Sequence, residues 1–323
     1  MLTRRTVVAA VPAAAAAGSV QAQTPAAPPA AGSAAEQAPG FYRYKVGDIE
    51  VTAVNDGFFH RAVEGLVRNA ETGDVKKVLQ EEFLPETAIQ VPFTTLVLRS
   101  GGRTVLVDAG NGDSGAPTSG RWMANFRAAG FDPAQVNAVV ISHFHGDHIN
   151  GLRLKSGQAV FPNAEIHVPE PEWAYWTDQA KMAAAPDGLK PNFQNVQRVF
   201  GPVAKDVKPY GNGKEVVPGL TSVAAPGHTP GHTAYMLASG TSKLMIMSDT
   251  ANHPALFVRN PGWAAVFDMD AETARQSRIK LLDMAASERA QVSFYHAPFP
   301  ATGYIAKEGA GYRFVPVQWT PAV

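Results

Sequence analysis

The sequence predicts an α/β fold of layers, two β-sheets packed face to face with helices outside. Three observations carry that expectation. Strand-like segments fall into two groups, each followed by helices; several strands alternate apolar and polar residues around glycine turns; and the polar clusters sit where apolar strands end. Periodicity alone leaves other layered α/β folds open.

The elements follow in order. FYRYKVGDIEVTAVNDG alternates around Gly47-Asp48 as a hairpin with one buried face, and FTTLVLRSGGRTVLVDAG repeats the device around Gly101-Gly102. GRWMANFRAAG has helical spacing, with Trp122, Phe126 and Ala129 on one side and Gly130 as the stop. NAVVIS, residues 137–142, is a short apolar strand, and AEIHV is another. PEPEWAYWTDQAKMAAA reads as a helix entered through prolines, LTSVAAPGHTPGHTAYMLAS and KLMIMSDT as two strands, and AETARQSRIKLLDMAASERA as an amphipathic helix. VSFYHA, GYIAKEG and GYRFVPVQW close the chain as strands.

Composition narrows the chemistry. The 323 residues are 45% hydrophobic and 17% charged, an ordinary globular balance with room for a substantial core. Lysine plus arginine number 28 and the acids 28, so no basic stripe points to nucleic acid or an anionic membrane, and small-molecule partners are expected. The absence of cysteine excludes structural disulfides, thiolate nucleophiles and thiolate-held zinc. Any metal must use nitrogen and oxygen ligands.

Residues 1–22 have a basic start with Arg4 and Arg5, a short apolar run and a Val20-Gln21-Ala22 cleavage site, which reads as an export signal that resembles the twin-arginine type, with the ordinary secretory route as the alternative. A periplasmic or secreted protein with no membrane attachment after cleavage is the expectation. Residues 23–40, rich in Ala and Pro, read as a disordered linker, and residues 41–323 as one catalytic domain.

The segment SHFHGDHINGL gathers His143, His145, Asp147 and His148 directly after the NAVVIS strand. On an extended segment the side-chain period of two turns His143 and His145 the same way, toward one ion, while Asp147 and His148, past Gly146, can turn toward a second. Imidazole and carboxylate suit zinc, manganese, cobalt or iron. Further candidate ligands stand in GHTPGH (His228, His232), SDT (Asp249) and YHAP (His296), the last two at strand ends.

These four ordered motifs resemble the metallo-β-lactamase superfamily across the whole 41–323 domain. The resemblance implies an αβ/βα sandwich with two mixed sheets and a dinuclear site on one edge, loaded with two divalent ions, first of all Zn²⁺. It assigns His143, His145 and His228 to one metal, Asp147, His148 and His296 to the other, and Asp249 to both, with His232 left spare. Asp108, in VLVDAGNG, takes the role of ordering the loops beneath the metals. His60, His167 and His253 match no ligand motif and read as surface or locally bonded histidines.

What the resemblance implies in function is metal-assisted hydrolysis by a metal-bridging hydroxide, with Asp147 and Asp249 as the catalytic carboxylates. FYRYKVGDIEVTAVNDG, PTSGR, HTPGHT, HAPFP and GYRFVPV look like the methyl parathion hydrolase and lactonase-like branch. That branch implies a pocket at Trp176 and Phe193, with Gly115 near the position where a third aromatic is expected. The expected substrate is a small neutral lactone or aryl ester, with phosphotriesters second and a homodimer as the assembly. Glyoxalase II-like thioester hydrolysis and a periplasmic metal binder are the alternatives; the strand-like end of the chain and the bridging carboxylate weigh against them.

Overall fold

The computed structural model describes residues 37–321 and Val323; the export signal and all but the end of the linker lie outside the described residues. Two seven-stranded sheets form the body. The first runs β1 (Phe41–Val46), β2 (Ile49–Ala62), β3 (Ala88–Ser100), β4 (Arg103–Val107), β5 (Ala138–Val140), β6 (Glu165–Pro169) and β7 (Lys208–Tyr210). The second runs β8 (Glu215–Val217), β9 (Leu220–Ala224), β10 (Thr233–Ser239), β11 (Ser242–Ser248), β12 (Gln291–Phe294), β13 (Thr302–Glu308) and β14 (Gly311–Pro316). Each mixes hairpins with parallel pairs: β4 through β7 are parallel in the first, and β11 and β12 in the second.

The strands' period of two assigns their faces. In β3 and β4, Leu96, Leu98, Val105 and Val107 join Leu237, Leu244 and Ile246 of the other sheet, while Val97 and Leu106 turn outward. Those outward residues meet α2 (Trp122–Ala128), α4 (Glu170–Trp176) and α6 (Lys190–Phe200). On the far side Met245 and Met247 of β11 pack with Leu281, Leu282 and Ala285 of α8 (Ala271–Glu288) and with α1 (Thr72–Glu81) and α7 (Pro254–Phe257). The result is the expected order of helices, sheet, sheet and helices.

Two segments divide more finely than expected. LTSVAAPGHTPGHTAYMLAS is two strands, β9 and β10, because the PGHTPGH stretch folds into a turn between them. PEPEWAYWTDQAKMAAA is two helices: α4 stops at Trp176, and Asp178 caps α5 (Gln179–Ala184) by accepting from Ala180 N–H and Lys181 N–H. A further short helix, α3 (Gly146–Ile149), starts inside the histidine loop. Among the described residues no helix is long and apolar enough to cross a membrane.

Candidate metal centre

The site lies where strands of both sheets end. β5 leads into Ser142 and His143, β11 ends at Ser248 before Asp249, and β12 ends at Phe294 before Tyr295 and His296. Two non-glycine residues at these ends, Asp108 after β4 and Ser248, adopt left-handed backbone (φ 61° and 45°). Such conformations cost on the order of 1–3 kcal/mol and persist where surrounding contacts over-determine them. Asp108 has those contacts: Ser142 N–H and Oγ–H donate to its two oxygens at 2.8 Å each.

Two groups of side chains converge. His143, His145, His228 and Asp249 each offer one ligand atom to a common point, all within 4.8 Å of one another, and Asp147, His148 and His296 do the same. Nε2 of His143 and Nε2 of His228 lie 3.1 and 3.0 Å from Nδ1 of His145. Asp249 faces both groups: Oδ2 is 3.2 Å from His228 Nε2 and 3.0 Å from His296 Nε2, and Oδ1 is 3.3 Å from His148 Nε2.

The tautomers suit a cation. His143 Nδ1–H donates to Ser142 Oγ (3.1 Å), His148 Nδ1–H to Asp108 Oδ2 (2.9 Å), His228 Nδ1–H to Asp268 Oδ1 (3.0 Å) and His296 Nδ1–H to the Pro92 carbonyl (2.9 Å). With the outer nitrogens committed, the four Nε2 atoms point inward, each able to offer a lone pair once it is deprotonated. His148 Nε2 and Asp249 Oδ1 are buried without a hydrogen-bond partner, as expected of atoms that await a metal. The donor set of nitrogen and carboxylate oxygen fits divalent zinc-type ions.

Electrostatics point the same way. Burial and the neighbouring His228 push His145 down to about 3, and burial holds His143 well below the usual histidine range. Burial also works against charge on His228, yet its contacts with Asp249 and Asp268 overcome it and pull the imidazole up to about 9. His148 and His296 are likewise raised against burial, chiefly by Asp249 and Asp147. The raised histidines report the negative potential that Asp147, Asp249 and Asp268 set up at the site, the potential a divalent ion would meet there.

The remaining predicted residues divide. His232 is not among the grouped ligands: its Nδ1–H donates to the Ala225 carbonyl (2.9 Å), and its Nε2 accepts Asp249 N–H (3.0 Å), which fixes the backbone of the shared carboxylate. Trp176 and Phe193, expected in the pocket, are fully buried among the helices of the first sheet, with ring centroids 4.7 Å apart. The physical reason is that Trp176 Nε1–H donates inward to Glu172 (2.8 Å), which turns the indole away from the cavity. Gly115 sits between the lining residues Ser114 and Ala116, but a Cβ there would lie 2.1 Å from Ser119 Oγ, so no side chain can fill that position as packed. His253 is buried rather than on the surface, with Nδ1 unpartnered; His60 is exposed, and His167 lies 3.3 Å from Glu165.

The cavity over the two groups, ≈ 500 Å³, has an aromatic wall of Phe59, Phe93 and Phe267 instead. Phe59 and Phe93 stack at 5.6 Å, Phe267 meets Phe59 edge-on at 6.4 Å, and Phe93 reaches the His296 ring at 5.6 Å. Asp56, fully buried, accepts Asn111 N–H (2.7 Å), Asn111 Nδ2–H (2.9 Å) and Trp122 N–H (2.8 Å), and so anchors the loop that carries Asn111, Ser114 and Ala116 into the cavity. Asp268 is held in turn by Arg278 (3.0 Å), which is itself buried. Neither Asp56 nor the Asp268–Arg278 pair lies in a ligand motif, and no local spacing could have marked them.

Comparison with known proteins agrees with this architecture. Residues 91–296, more than half of the chain, match the Metallo-beta-lactamase superfamily. The N-acyl homoserine lactonase AttM of Rhizobium radiobacter is 29% identical over 180 residues, 50% of this chain and 64% of its own length. The chain thus spans just under two thirds of that relative. An AttM from Azorhizobium caulinodans is 29% identical over 244 residues, 65% of this chain and 82% of the relative. Among solved structures, AidC, described as a dizinc quorum-quenching lactonase, aligns with TM-score 0.82 at 26% identity over 87% of this chain and 98% of its own. The hydrolase AbOPH aligns with TM-score 0.83 at 25% identity over 88% and 100%. With its fold, its strand-end histidine and aspartate groups and the match over 91–296, the chain belongs to the metallo-β-lactamase superfamily.

Proposed function

We propose that this protein is a dinuclear metal-dependent hydrolase that opens lactones, with N-acyl homoserine lactones the first substrates to test. The observation that carries the reading is Asp249, whose carboxylate lies between the two histidine groups, 3.2 Å from His228 on one side and 3.0 and 3.3 Å from His296 and His148 on the other. The names of the AttM relatives and of AidC support the same substrate class, and the dizinc description of AidC favours Zn²⁺ over manganese, cobalt or iron. Two such ions, when bound, supply a water acid enough to ionise near neutral pH and polarise the scissile carbonyl.

The chain's own residues do the rest. His143, His145 and His228 would hold one ion, Asp147, His148 and His296 the other, with Asp249 between them. The side chain of Asp147 is 23% exposed, against 3% for Asp249, so Asp147 is the carboxylate placed to take the proton that the attacking water gives up and to pass it to the alkoxide released by ring opening. Phe59, Phe93 and Phe267 offer an apolar surface for the acyl part and exclude water beside the reacting centre. Export to the periplasm or beyond belongs to the same proposal and rests on residues 1–22.

Phosphotriester hydrolysis, as in the methyl parathion hydrolase branch, is the second reading, favoured by that aromatic wall. The packing around Gly115 counts against the branch's aromatic pocket. Zn²⁺-loaded protein is expected to open N-acyl homoserine lactones and dihydrocoumarin to their hydroxy acids, to cleave paraoxon more slowly, and to lose all three activities to a chelator. Loaded protein that opens no lactone contradicts the first reading; a paraoxon rate above the lactone rates favours the second.

A further inference from the structure

Glu172, on α4, is fully buried and does not line the cavity. Its carboxylate meets backbone and indole donors from three places. Phe144 N–H donates to Oε2 (3.0 Å), Trp176 Nε1–H donates to the same oxygen (2.8 Å), and Gly231 N–H donates to Oε1 (2.6 Å). Phe144 stands between His143 and His145, and Gly231 stands in the turn that begins with His228. One side chain therefore joins the two loops that carry all three histidines of the first ligand group.

A buried carboxylate is expensive unless its oxygens are hydrogen-bonded, and here each oxygen has a donor. Glutamine could not replace it, since its amide has one accepting oxygen and an NH₂ that would face an N–H donor on one of the two loops. The packing is equally close: a Cβ on Gly231 would lie 2.4 Å from Glu172 N and 2.8 Å from Pro171 Cβ. Metal sites tolerate ligand displacements of only about ±0.2 Å, so slack between the loops would pull imidazoles off a shared ion.

We propose that Glu172 is a positioning residue of the metal centre, a strut that holds the His143/His145 loop and the His228 loop at the separation one ion requires. This rests on the metal-binding reading above. A Zn²⁺ titration of the unaltered protein tests that reading by itself, because a protein that binds no Zn²⁺ fails there before Glu172 is touched.

The strut is tested by titrating Glu172→Gln and, from the other side of the contact, Gly231→Ala, with circular dichroism and thermal unfolding to establish that each is folded. Trp176→Phe removes the one donor that lies on neither loop and serves as the reference for lost stability. Glu172→Gln and Gly231→Ala are expected to bind one Zn²⁺ as the unaltered protein does and the other about 10- to 100-fold more weakly. Their Co²⁺ spectra should approach that of His228→Ala, while Trp176→Phe keeps both ions. The proposal is overturned if either folded variant binds both ions at unchanged affinity. It is overturned equally if all three variants lose metal in proportion to stability, which is what a purely structural role predicts. If Glu172→Gln does not fold, Gly231→Ala alone decides between these outcomes.

Discussion

The two ligand groups are built differently. Around His143, His145 and His228 the supports are side chains set deep in the fold: Ser142 on Asp108, and Asp268 held by the buried Arg278. Around Asp147, His148 and His296, His148 shares Asp108, but His296 leans only on the Pro92 carbonyl, and Asp147, like His145 of the first group, is partly exposed. Phe93 brings the aromatic wall to His296 on this side. The first group is thus the half anchored by buried side chains, although His145 and His228 line the cavity beside Asp147 and His296.

The largest effect should come from the residue the halves share. Asp249→Ala is expected to lower metal content at both halves and to reduce hydrolysis beyond the about 10- to 100-fold that loss of an orienting partner costs. Unchanged metal content in that variant removes the bridge. Asp268→Asn attacks the anchored half alone: His228 loses its carboxylate, and Zn²⁺ affinity there should fall about 10- to 100-fold. Because Arg278 then lacks its ion partner, stability should also fall by about 3–5 kcal/mol, which denaturant unfolding would measure. Equal weakening of both ions would erase the distinction between the halves.

Proton release sharpens the same contrast. The metal-free His228 is held up at about 9, so near pH 7 it carries a proton that an incoming ion must displace. Affinity for that ion should fall about tenfold per pH unit below about 9, and calorimetry in buffers of different ionisation enthalpy should register the released proton. Smallest is the effect on the wall of the cavity: Phe267→Ala should raise KM for long-chain lactones about tenfold, with metal content unchanged, because it removes apolar surface and no ligand.

Much of the site was legible because its ligands are short-range: HFHGDH, GHTPGH, SDT and YHAP each carry their spacing within a few residues of a strand end. The sheets were legible for a related reason, as Leu96 and Leu98 alternate with Val97 in the sequence as they do between the two faces. The cavity was not. Phe59, Phe93 and Phe267 come from β2, β3 and the segment before α8, and no local pattern joins them. Trp176 sits at a position where a pocket aromatic was expected, yet the orientation of α4 and the acceptor at Glu172 decide that it faces the core. The supports Asp56, Glu172, Asp268 and Arg278 are likewise set by long-range contacts.

The most direct test of a dinuclear centre with unlike halves is a Zn²⁺ titration of the metal-free protein, followed by His228→Ala and His296→Ala. The structure predicts two ions per chain bound in resolved steps, with His228→Ala abolishing one step and His296→Ala the other. A single ion per chain, or two identical steps affected alike by both substitutions, would contradict it.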